Sequence, residues 1–451
     1  MSHSRVTVVG AGLAGSEAAW QLAKAGVRVR LFEMRPAART AAHVTDRFAE
    51  LVCSNSFKSE EEASATGLLK AEMERMGSLV LELARAHRVP GGSALAVDRA
   101  RFSQAVTETL ESRPEIEIVR REVLRIPDDR PLVIATGPLT SEALSRSLAE
   151  LLGAEHLAFY DAVSPILAAE SVDAGRGFWA SRYGKGDADY LNLPLDRAAY
   201  DRLVEGLLAS DLYPIHDFED PDLFHACQPI EDLAHSGRET LRFGCLRPVG
   251  LTDPRTGRRP HAVLQLRQEN REGTMLSLVG FQTRMRRGEQ ERIFRAIPGL
   301  EKAELLRFGS VHRNTFVSAP TLLGPGNGLR AAPGVFLAGQ ITGVEGYLES
   351  TAMGLLAAVS VRRALAGRPP VDPPAETMLG ALTRYLRDTS PERFQPMNVN
   401  HGLLPPLAQS LRDKDRRREA LRARAAHAIA RFAEEEGLAP LRAAAAGETG
   451  S

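Results

Sequence analysis

The sequence is poor in cysteine and has no long apolar run. Only three cysteines, Cys53, Cys227 and Cys245, occur among 451 residues, and none stands in a C-x-x-C pair. This small, odd number argues against a disulfide framework, a zinc cluster and a dithiol reductase, and it fits a reducing cytoplasm. No run of eighteen apolar residues is present, and the N-terminus lacks a secretory pattern. We therefore expect a cytoplasmic protein with no membrane helix and no metal site.

The net charge also has no sign, because 57 basic residues balance 57 acidic ones. A zero balance gives no global attraction to nucleic acid, so an RNA site would have to come from local clusters. Two arginine clusters are present, Arg284, Arg286 and Arg287 in one and Arg412, Arg416 and Arg417 in the other. The second lies on an expected basic helix over Leu411–Phe432, where interleaved acidic residues make a solvated helix face the alternative explanation.

The N-terminal segment has the pattern of a dinucleotide-binding unit. We expect a strand at Arg5–Val9, a helix at Ser16–Ala25 and a second strand at Val27–Glu33. The turn between the first strand and the helix has the pattern G-x-G-x-x-G and consists of Gly10, Ala11, Gly12, Leu13, Ala14 and Gly15. Its glycines allow a tight bend and a close backbone approach to a pyrophosphate. Glu33 is placed to accept hydrogen bonds from an adenosine ribose.

Two further turns favour FAD over NAD as the dinucleotide. A strand expected at Pro131–Ala135 runs into Thr136 and Gly137, a turn that recurs in flavin enzymes of the glutathione-reductase type. Near the end of the chain, another strand meets a glycine-rich turn that would lie under the ribityl and pyrimidine parts of the flavin. Its candidate contacts are Gly339, Gln340, Gly343, Glu345, Gly346 and Tyr347, with Gln340 standing where an acid is common.

These patterns predict an α/β protein with a Rossmann-type, glutathione-reductase-like FAD-binding domain and an inserted α+β domain. We expect the FAD-binding domain over 1–160 and 291–435, the inserted substrate domain over 161–290, and a disordered tail over 436–451. Within the first part we expect an irregular loop over 34–60, one long helix over Ala63–Ala86 and a short strand over Val123–Ile126.

The cysteines are the candidate reactive groups. For any single cysteine, a small buried hydrophobe is the simpler explanation. Cys53 lies in a polar stretch before an expected helix, and a thiol near a helix start can be nucleophilic. Cys227 lies in a loop beside a proline and a carboxylate. The residues alone therefore lead to a flavoprotein with candidate reactive thiols.

A set of short phrases along the chain resembles one family. In chain order these are Arg35-Pro36, Cys53–Ser56, Gly92–Arg99, Ala135–Ser141, Ser181–Gly186, Asp189–Asn192, Pro248–Leu251, Val279–Thr283, His312–Thr315, Gly343–Tyr347 and Phe394–Asn398. Over residues 4–435 the chain resembles the folate- and FAD-dependent tRNA (uracil-5-)-methyltransferases of bacteria.

The resemblance implies methylation of C5 of the T-loop uridine in tRNA. The one-carbon unit would come from 5,10-methylenetetrahydrofolate and the electrons from NAD(P)H through FAD, with tRNA and tetrahydrofolate as partners and no protein partner required. A cysteine thiolate would add to uracil C6 to activate C5, while the flavin carries the methylene. The family's motifs place the C6 nucleophile at Cys227 and a base or second thiol at Cys53, although the two roles could be exchanged. Cys245 matches no motif and is expected in the core.

Three alternatives stay open. A related flavoenzyme modifies the wobble uridine with a partner GTPase, but it normally has a longer C-terminal extension. A homologue that acts on ribosomal RNA is separated poorly by sequence. The third alternative is a non-catalytic, flavin-bearing RNA-binding protein, and the intact Cys53 and Cys227 segments speak against it.

Overall fold

The computed structural model describes residues 5–40, 42–153, 157–184, 187–213, 228–409, 411 and 413–441. The strands are β1 Val6–Val9, β2 Val29–Glu33, β3 Ser56–Ser59, β4 Arg88–Val89, β5 Ala94–Val97, β6 Ile116–Arg120, β7 Leu132–Ile134, β8 Leu157–Val163, β9 Ile166–Ala168, β10 Phe178–Trp179, β11 Tyr190–Leu195, β12 Ala262–Gln268, β13 Met275–Leu278, β14 Leu305–Arg307, β15 Ser310–Phe316 and β16 Val335–Leu337. The α-helices are α1 Leu13–Lys24, α2 Ala65–Arg75, α3 Leu79–Ala86, α4 Arg99–Glu111, α5 Glu142–Leu152, α6 Arg197–Leu208, α7 Ile230–His235, α8 Thr240–Phe243, α9 Arg287–Phe294, α10 Ala319–Leu322, α11 Tyr347–Leu365, α12 Met378–Asp388 and α13 Lys414–Glu435.

A five-stranded parallel sheet forms the centre of the larger domain. Its strand order is β16-β7-β1-β2-β6, and β1 lies between β7 and β2. The residues of β1, β7 and β16 are buried on both faces, which explains their runs of valine, leucine and isoleucine. Because the strands are parallel, the glycine-rich turns after β1, β7 and β16 meet at one edge. The predicted Rossmann-type fold is confirmed.

The inserted domain has its own sheet and its own core. Six strands pair in the order β10-β11-β12-β13-β9-β14, and the pairs given for this sheet are antiparallel. The apolar residues of this core form a cluster separate from that of the parallel sheet. The antiparallel pair β8 and β15 carries the chain between the two domains in both directions.

The second core extends further along the chain than the sequence pattern indicates. Ile293, Phe294 and Ile297 are buried in it, and β14 adds an edge strand to its sheet. The expected boundary after residue 290 is therefore too early. We therefore place the end of the inserted domain after β14. The sequence pattern could not show this boundary, because the apolar face of α9 fits either core and only the tertiary packing decides between them.

The predicted helix over Ala63–Ala86 is wrong, because the chain forms α2 and α3 instead. Gly77 has a left-handed backbone with φ 75°, which ends α2. The next residue, Ser78, accepts a hydrogen bond from the backbone N–H of Leu81 and so begins α3. Gly77 and Ser78 therefore end one helix and begin the next, although the apolar residues continue at helical spacing across them.

Two other local expectations also fail. The segment 34–60 is not wholly irregular, since its last residues form β3, which pairs with β5. Among the described residues, Val123–Ile126 forms no strand. In both places the pairing partner decides the structure, and the sequence pattern carries no information about that partner.

The basic C-terminal helix is amphipathic and belongs to the first core. In α13, Leu421, Ala425, Ile429 and Phe432 are buried, while Arg416 and Arg417 are exposed. The helix packs against α2. Within the described ranges, the search for a helix with the length and apolar character of a membrane span finds no candidate.

A buried lysine in α2 provides a pH-dependent test of this fold. Lys70 is almost fully buried, and its Nζ donates to the backbone carbonyls of Ser59 (2.7 Å) and Lys58 (3.3 Å). Burial lowers the pKa of Lys70 from 10.5 to about 8. Between these values the unfolded chain binds the proton and the folded chain releases it, so stability should rise with pH.

We expect Lys70→Met to remove this contribution. The free energy of unfolding of the wild-type protein, relative to that of the variant, should rise by about 3 kcal/mol at most between pH 8 and 10.5. Denaturant unfolding at several pH values measures the difference. The exposed Lys302→Met is the matched control and should run parallel to wild type. Parallel curves for Lys70→Met as well would contradict the proposed titration.

Candidate active site

A cleft lies where the carboxyl ends of β1, β2 and β7 meet. Its lining contains half of the residues predicted in the first two turns, together with Glu33 and residues from neighbouring loops: Val9, Gly10, Ala11, Gly12, Phe32, Glu33, Met34, Arg35, His43, Arg121, Glu122, Val123, Ala135, Thr136, Leu139, Thr140, Ser141 and Leu144. The N-terminus of α1 opens into this cleft, and no side chain caps it. Backbone N–H groups are thus available to an anion.

The glycines of the first turn have different tasks. A Cβ at Gly15 would lie 1.7 Å from the carbonyl oxygen of Gly10, and one at Gly10 would lie 2.6 Å from that of Ala135. These two positions need glycine for packing of the turn itself. A Cβ at Gly12 would meet no heavy atom within 4 Å, although Gly12 lines the cleft. The space above Gly12 therefore fits a ligand rather than the protein.

Glu33 is the acidic end of β2, as the sequence pattern predicts. Its Oε2 accepts from the backbone N–H of Ala11 at 3.1 Å, and its Oε1 accepts from Arg35 Nε at 2.8 Å. Burial alone would raise the pKa of Glu33, but the hydrogen bond and charge of Arg35 lower it below its usual value. Arg35 also binds Glu50 at 2.9 Å. The ionised carboxylate is therefore held at the floor of the cleft.

The second glycine-rich turn lies against the first. A Cβ at Gly339 would lie 2.8 Å from Cβ of Ala14, and one at Gly354 in α11 would lie 2.1 Å from the carbonyl oxygen of Ala14. The start of α1 is thus in close contact with the second turn and with the middle of α11. Gly343 and Gly346 both have left-handed backbones, with φ 88° and 117°. The contact of Gly339 with Ala14 joins the turn predicted near residue 340 to the turn near residue 10.

A buried ion pair supports the second turn from below. Lys58 Nζ donates to Glu349 Oε1 at 2.8 Å, to the carbonyl of Glu345 at 3.3 Å and to Asn398 Oδ1 at 3.2 Å. Glu349 is fully buried, and it also accepts from the backbone N–H of Val399 at 3.1 Å. Lys58 therefore joins the cysteine segment to the start of α11.

The loop that carries Cys53 is fixed by its backbone. The guanidinium of Arg99 donates to the carbonyls of Leu51 and Cys53, both at 2.9 Å, and Arg307 donates to that of Val52 at 2.6 Å. The backbone N–H of Cys53 donates to the hydroxyl of Tyr347 at 2.7 Å. Arg99 also binds the buried Glu269 of the inserted domain at 2.7 Å. Cys53 thus lies at the junction of the two domains and the second turn.

The expectation that Cys53 stands at a helix start is wrong. The residues after it form β3, and the next helix, α2, begins only at Ala65. Asn55 explains this, because its side-chain amide donates to the carbonyls of Val97 (3.0 Å) and Gln268 (3.1 Å). The loop is therefore tied to a strand edge, and α2 does not begin next to the thiol.

Of the other two cysteines, only Cys245 lies within the described residues. Cys227 lies outside the described residues, so its predicted role stays a prediction. Cys245 is half-buried against the second core, and burial raises the pKa of its thiol to about 11. A thiol that stays protonated at neutral pH is a poor nucleophile, which agrees with its expected place in the core.

The arginines expected to bind RNA are only partly available. Arg284 pairs with Asp232 at 2.9 Å, and Arg286 pairs with Asp211 at 3.0 Å. Arg287 is exposed and lies over the ring of Phe308. Arg412 falls outside the described residues. Their contact with RNA stays a prediction.

The sequence reasoning missed Arg99, Glu269, Arg307 and the Lys58–Glu349 pair. Arg99 ends one of the phrases that carry the family resemblance, and Lys58 lies two residues after the end of another. Both were readable as part of a motif, but their partners lie far away in the chain. Arg99 and Glu269 are 170 residues apart.

Comparison with known proteins decides the family. The family model described as glucose inhibited division protein A matches residues 5–369. A methylenetetrahydrofolate–tRNA-(uracil-5-)-methyltransferase TrmFO of Heliobacterium modesticaldum is 55% identical over 430 residues, which are 95% of this chain and 98% of the relative. One of Geobacter sulfurreducens is 56% identical over 413 residues, 91% of this chain and 95% of the relative.

This chain belongs to the TrmFO family. The likeness to solved structures is more distant: GidA of Aquifex aeolicus gives a TM-score of 0.69 at 16% identity, over 96% of this chain and 73% of the GidA chain. That likeness shows the shared fold.

Proposed function

We propose that this protein methylates C5 of the T-loop uridine in tRNA, with 5,10-methylenetetrahydrofolate as one-carbon donor and FAD reduced by NAD(P)H. The name of the curated relatives gives the folate donor, the tRNA substrate and position 5 of uracil, which supports this part of the proposal. A tRNA substrate would also place the protein in the cytoplasm. The domain at 5–153 and beyond β14 would hold the flavin, and the inserted domain would face the RNA.

One observation carries the proposal most directly. The backbone N–H of Cys53 donates to the hydroxyl of Tyr347, the first residue of α11, at 2.7 Å. A thiol-bearing loop is thereby fixed to the second dinucleotide turn. In a redox relay without a covalent step, this loop would have no need for a cysteine at that place.

FAD, when bound and reduced, supplies an acceptor for the methylene group and the hydride that converts this group into methyl. Gly10, Gly12 and the start of α1 would hold its pyrophosphate, Glu33 its ribose, and the turn Gly339–Gly346 its distal part. The open space at Gly12 and the uncapped N-terminus of α1 support this fit.

The protein's own residues account for the remaining steps. Uracil C5 is a poor nucleophile until a thiolate adds to C6 and places the electron pair on C5. That carbon can then form the bond to the methylene. Removal of the C5 proton would then break the bond between the methylene and its carrier and leave an exocyclic methylene on C5. Hydride addition to this methylene would give the methyl group, restore the C5–C6 double bond and expel the thiolate. We assign the addition to Cys227 and the proton removal to Cys53. The uridine must leave the tRNA tertiary structure to reach either thiol.

We expect purified holoprotein, incubated with unmodified tRNA transcript, labelled methylenetetrahydrofolate and NADPH, to place label in 5-methyluridine. Cys227→Ala should abolish the transfer while the yellow flavin spectrum remains, because no other thiolate would add to C6. Nucleoside analysis of the digested tRNA measures the transfer, and the visible absorption spectrum of the protein measures the flavin.

The matched control is Cys245→Ala, which removes a thiol from the second core and should leave transfer nearly unchanged. Label entering tRNA with the Cys227→Ala protein would contradict the assignment of the nucleophile. Transfer from S-adenosylmethionine instead of the folate would contradict the one-carbon donor. Label in ribosomal RNA but not in tRNA would show that the substrate is ribosomal RNA.

A further inference from the structure

Tyr183, in the inserted domain, places an exposed aromatic ring on the surface. It is 60% exposed and has a left-handed backbone, with φ 59° and ψ 19°. Bulky residues rarely adopt this conformation, and where they do the surrounding structure holds them, often at functional sites. The position of this ring is therefore maintained against a conformational cost.

The ring is seated on a glycine. A Cβ at Gly250 would lie 3.0 Å from three ring carbons of Tyr183 at once, so the ring lies face-on over the Gly250 backbone. The backbone N–H of Tyr183 donates to the carbonyl of Gly250 at 2.9 Å. Gly250 itself has φ 85°, a second position that favours glycine. One ring face is covered and the other is available to a planar partner.

Buried polar side chains hold this turn in place. Arg182 donates through Nε to Gln265 Oε1 at 3.0 Å and through Nη1 to the carbonyls of Arg247 and Val249. Gln265 in turn donates to Asn192 Oδ1 at 2.9 Å, and Asn192 is fully buried. The tyrosine is thus preorganised through a chain of hydrogen bonds that ends in the sheet.

A positive charge lies close to the turn that carries the ring, because Arg247 acts on the neighbouring Arg182. Arg247 is exposed and adjoins the Tyr183–Gly250 contact along the chain. Burial lowers the pKa of Arg182, and the nearby charge of Arg247 lowers it further. An exposed aromatic face with an arginine next to it is the arrangement that single-stranded nucleic acids use for base stacking and phosphate contact.

The turn and the Cys53 loop are supported from two nearby positions of the chain, Gln265 in β12 and Glu269 directly after this strand. Gln265 supports Arg182, and Glu269 supports Arg99 and thereby the Cys53 loop. Residues four apart in a strand point to the same face and lie roughly 13 Å apart. The supports of the Tyr183 turn and of the Cys53 loop are therefore at most about 13 Å apart, a distance that a few nucleotides of RNA can span.

We propose that Tyr183 stacks on an unpaired nucleobase of the RNA substrate near the modified uridine, with Arg247 on an adjoining phosphate. The inference rests on the proposed function, since it takes tRNA as the substrate. RNA fits better than a small molecule, because small ligands bind in enclosed clefts and Tyr183 stands on an exposed turn. Tyr183 would position the RNA and would not take part in the chemistry.

The test measures binding of a fluorescent, unmodified T-arm hairpin to the holoprotein by anisotropy over a series of salt concentrations. Tyr183→Ala should raise the Kd about 10-fold, whereas Tyr183→Phe should keep it within about twofold. The salt slope should not change in Tyr183→Ala, because stacking releases no counterions. Arg247→Gln should weaken binding and reduce the slope by about one.

Phe243→Ala is the matched control, because it removes another exposed aromatic of the inserted domain, which is 73% exposed. It should leave the Kd nearly unchanged, and all variants should keep the flavin and the wild-type Tm. A wild-type Kd for Tyr183→Ala would overturn the inference, as would a raised KM for methylenetetrahydrofolate with unchanged RNA binding. Absence of tRNA binding by the wild-type protein would instead count against the proposed function.

Discussion

Arg99→Met is expected to lower methyl transfer about 100-fold while the protein still binds its flavin. Arg99 holds the carbonyls of Leu51 and Cys53 at 2.9 Å, and it does so with two different nitrogens. Methionine fills a similar volume but donates no hydrogen bond. The cysteine loop would lose two of its anchors, and a displacement of about 1 Å at a reacting group can reduce a rate by about this factor.

The same substitution should also lower stability. Arg99 pairs with Glu269, whose side chain is almost completely buried, and removal of one partner of a buried ion pair costs about 3–5 kcal/mol. The double variant Arg99→Met/Glu269→Gln removes the uncompensated charge. We expect it to recover part of the stability and none of the activity, which separates the folding effect from the effect on the loop.

Arg101→Met is the matched control, since Arg101 lies on the same helix, is exposed and pairs with Glu272 at the surface. Surface ion pairs contribute about 0–1 kcal/mol, so activity and Tm should stay near wild type. Single-turnover transfer and thermal unfolding measure the series. Full transfer by Arg99→Met would show that the loop is held without the guanidinium.

The parts of the site that could be predicted are those built from neighbours in sequence. The turn Gly10–Gly15 and Glu33 belong to one strand–helix–strand unit, in which sequence spacing sets the geometry. Thr136 and Gly339 follow buried strands, and parallel strands bring their carboxyl ends together. The family was also recognisable, because its phrases are distributed over the whole chain.

The parts that could not be predicted depend on contacts between distant segments. The Cys53 loop was expected at a helix start, but Asn55 ties it to β5 and to the inserted domain. The end of the inserted domain was placed too early because α9 has an apolar face of ordinary pattern, and only its burial beside Phe281 assigns it. Periodicity shows that a face is buried, and it does not show against what.

Gly12→Ala is expected to leave the fold intact and to remove the flavin. Gly12 has φ −69° and ψ −168°, a backbone that alanine adopts without strain, and the added methyl would meet no protein atom within 4 Å. If the pyrophosphate lies over this turn, the methyl must displace it from the N–H groups of α1. Loss of about two charge-assisted hydrogen bonds, at 1.5–3 kcal/mol each, would weaken FAD binding about 100-fold or more.

Substitutions of two other glycines distinguish a loss of FAD affinity from a loss of protein stability. Gly15→Ala places a methyl 1.7 Å from the carbonyl of Gly10, so it should lower the Tm of the apoprotein itself. Gly288→Ala, in α9, meets open space far from the cleft in sequence, and should be neutral or stabilise by up to about 1 kcal/mol. Only Gly12→Ala should combine a wild-type Tm of the apoprotein with lost affinity in an FAD fluorescence titration. Wild-type affinity in that variant would show that the pyrophosphate does not lie over the first turn, because a phosphate group cannot share the space with the added methyl.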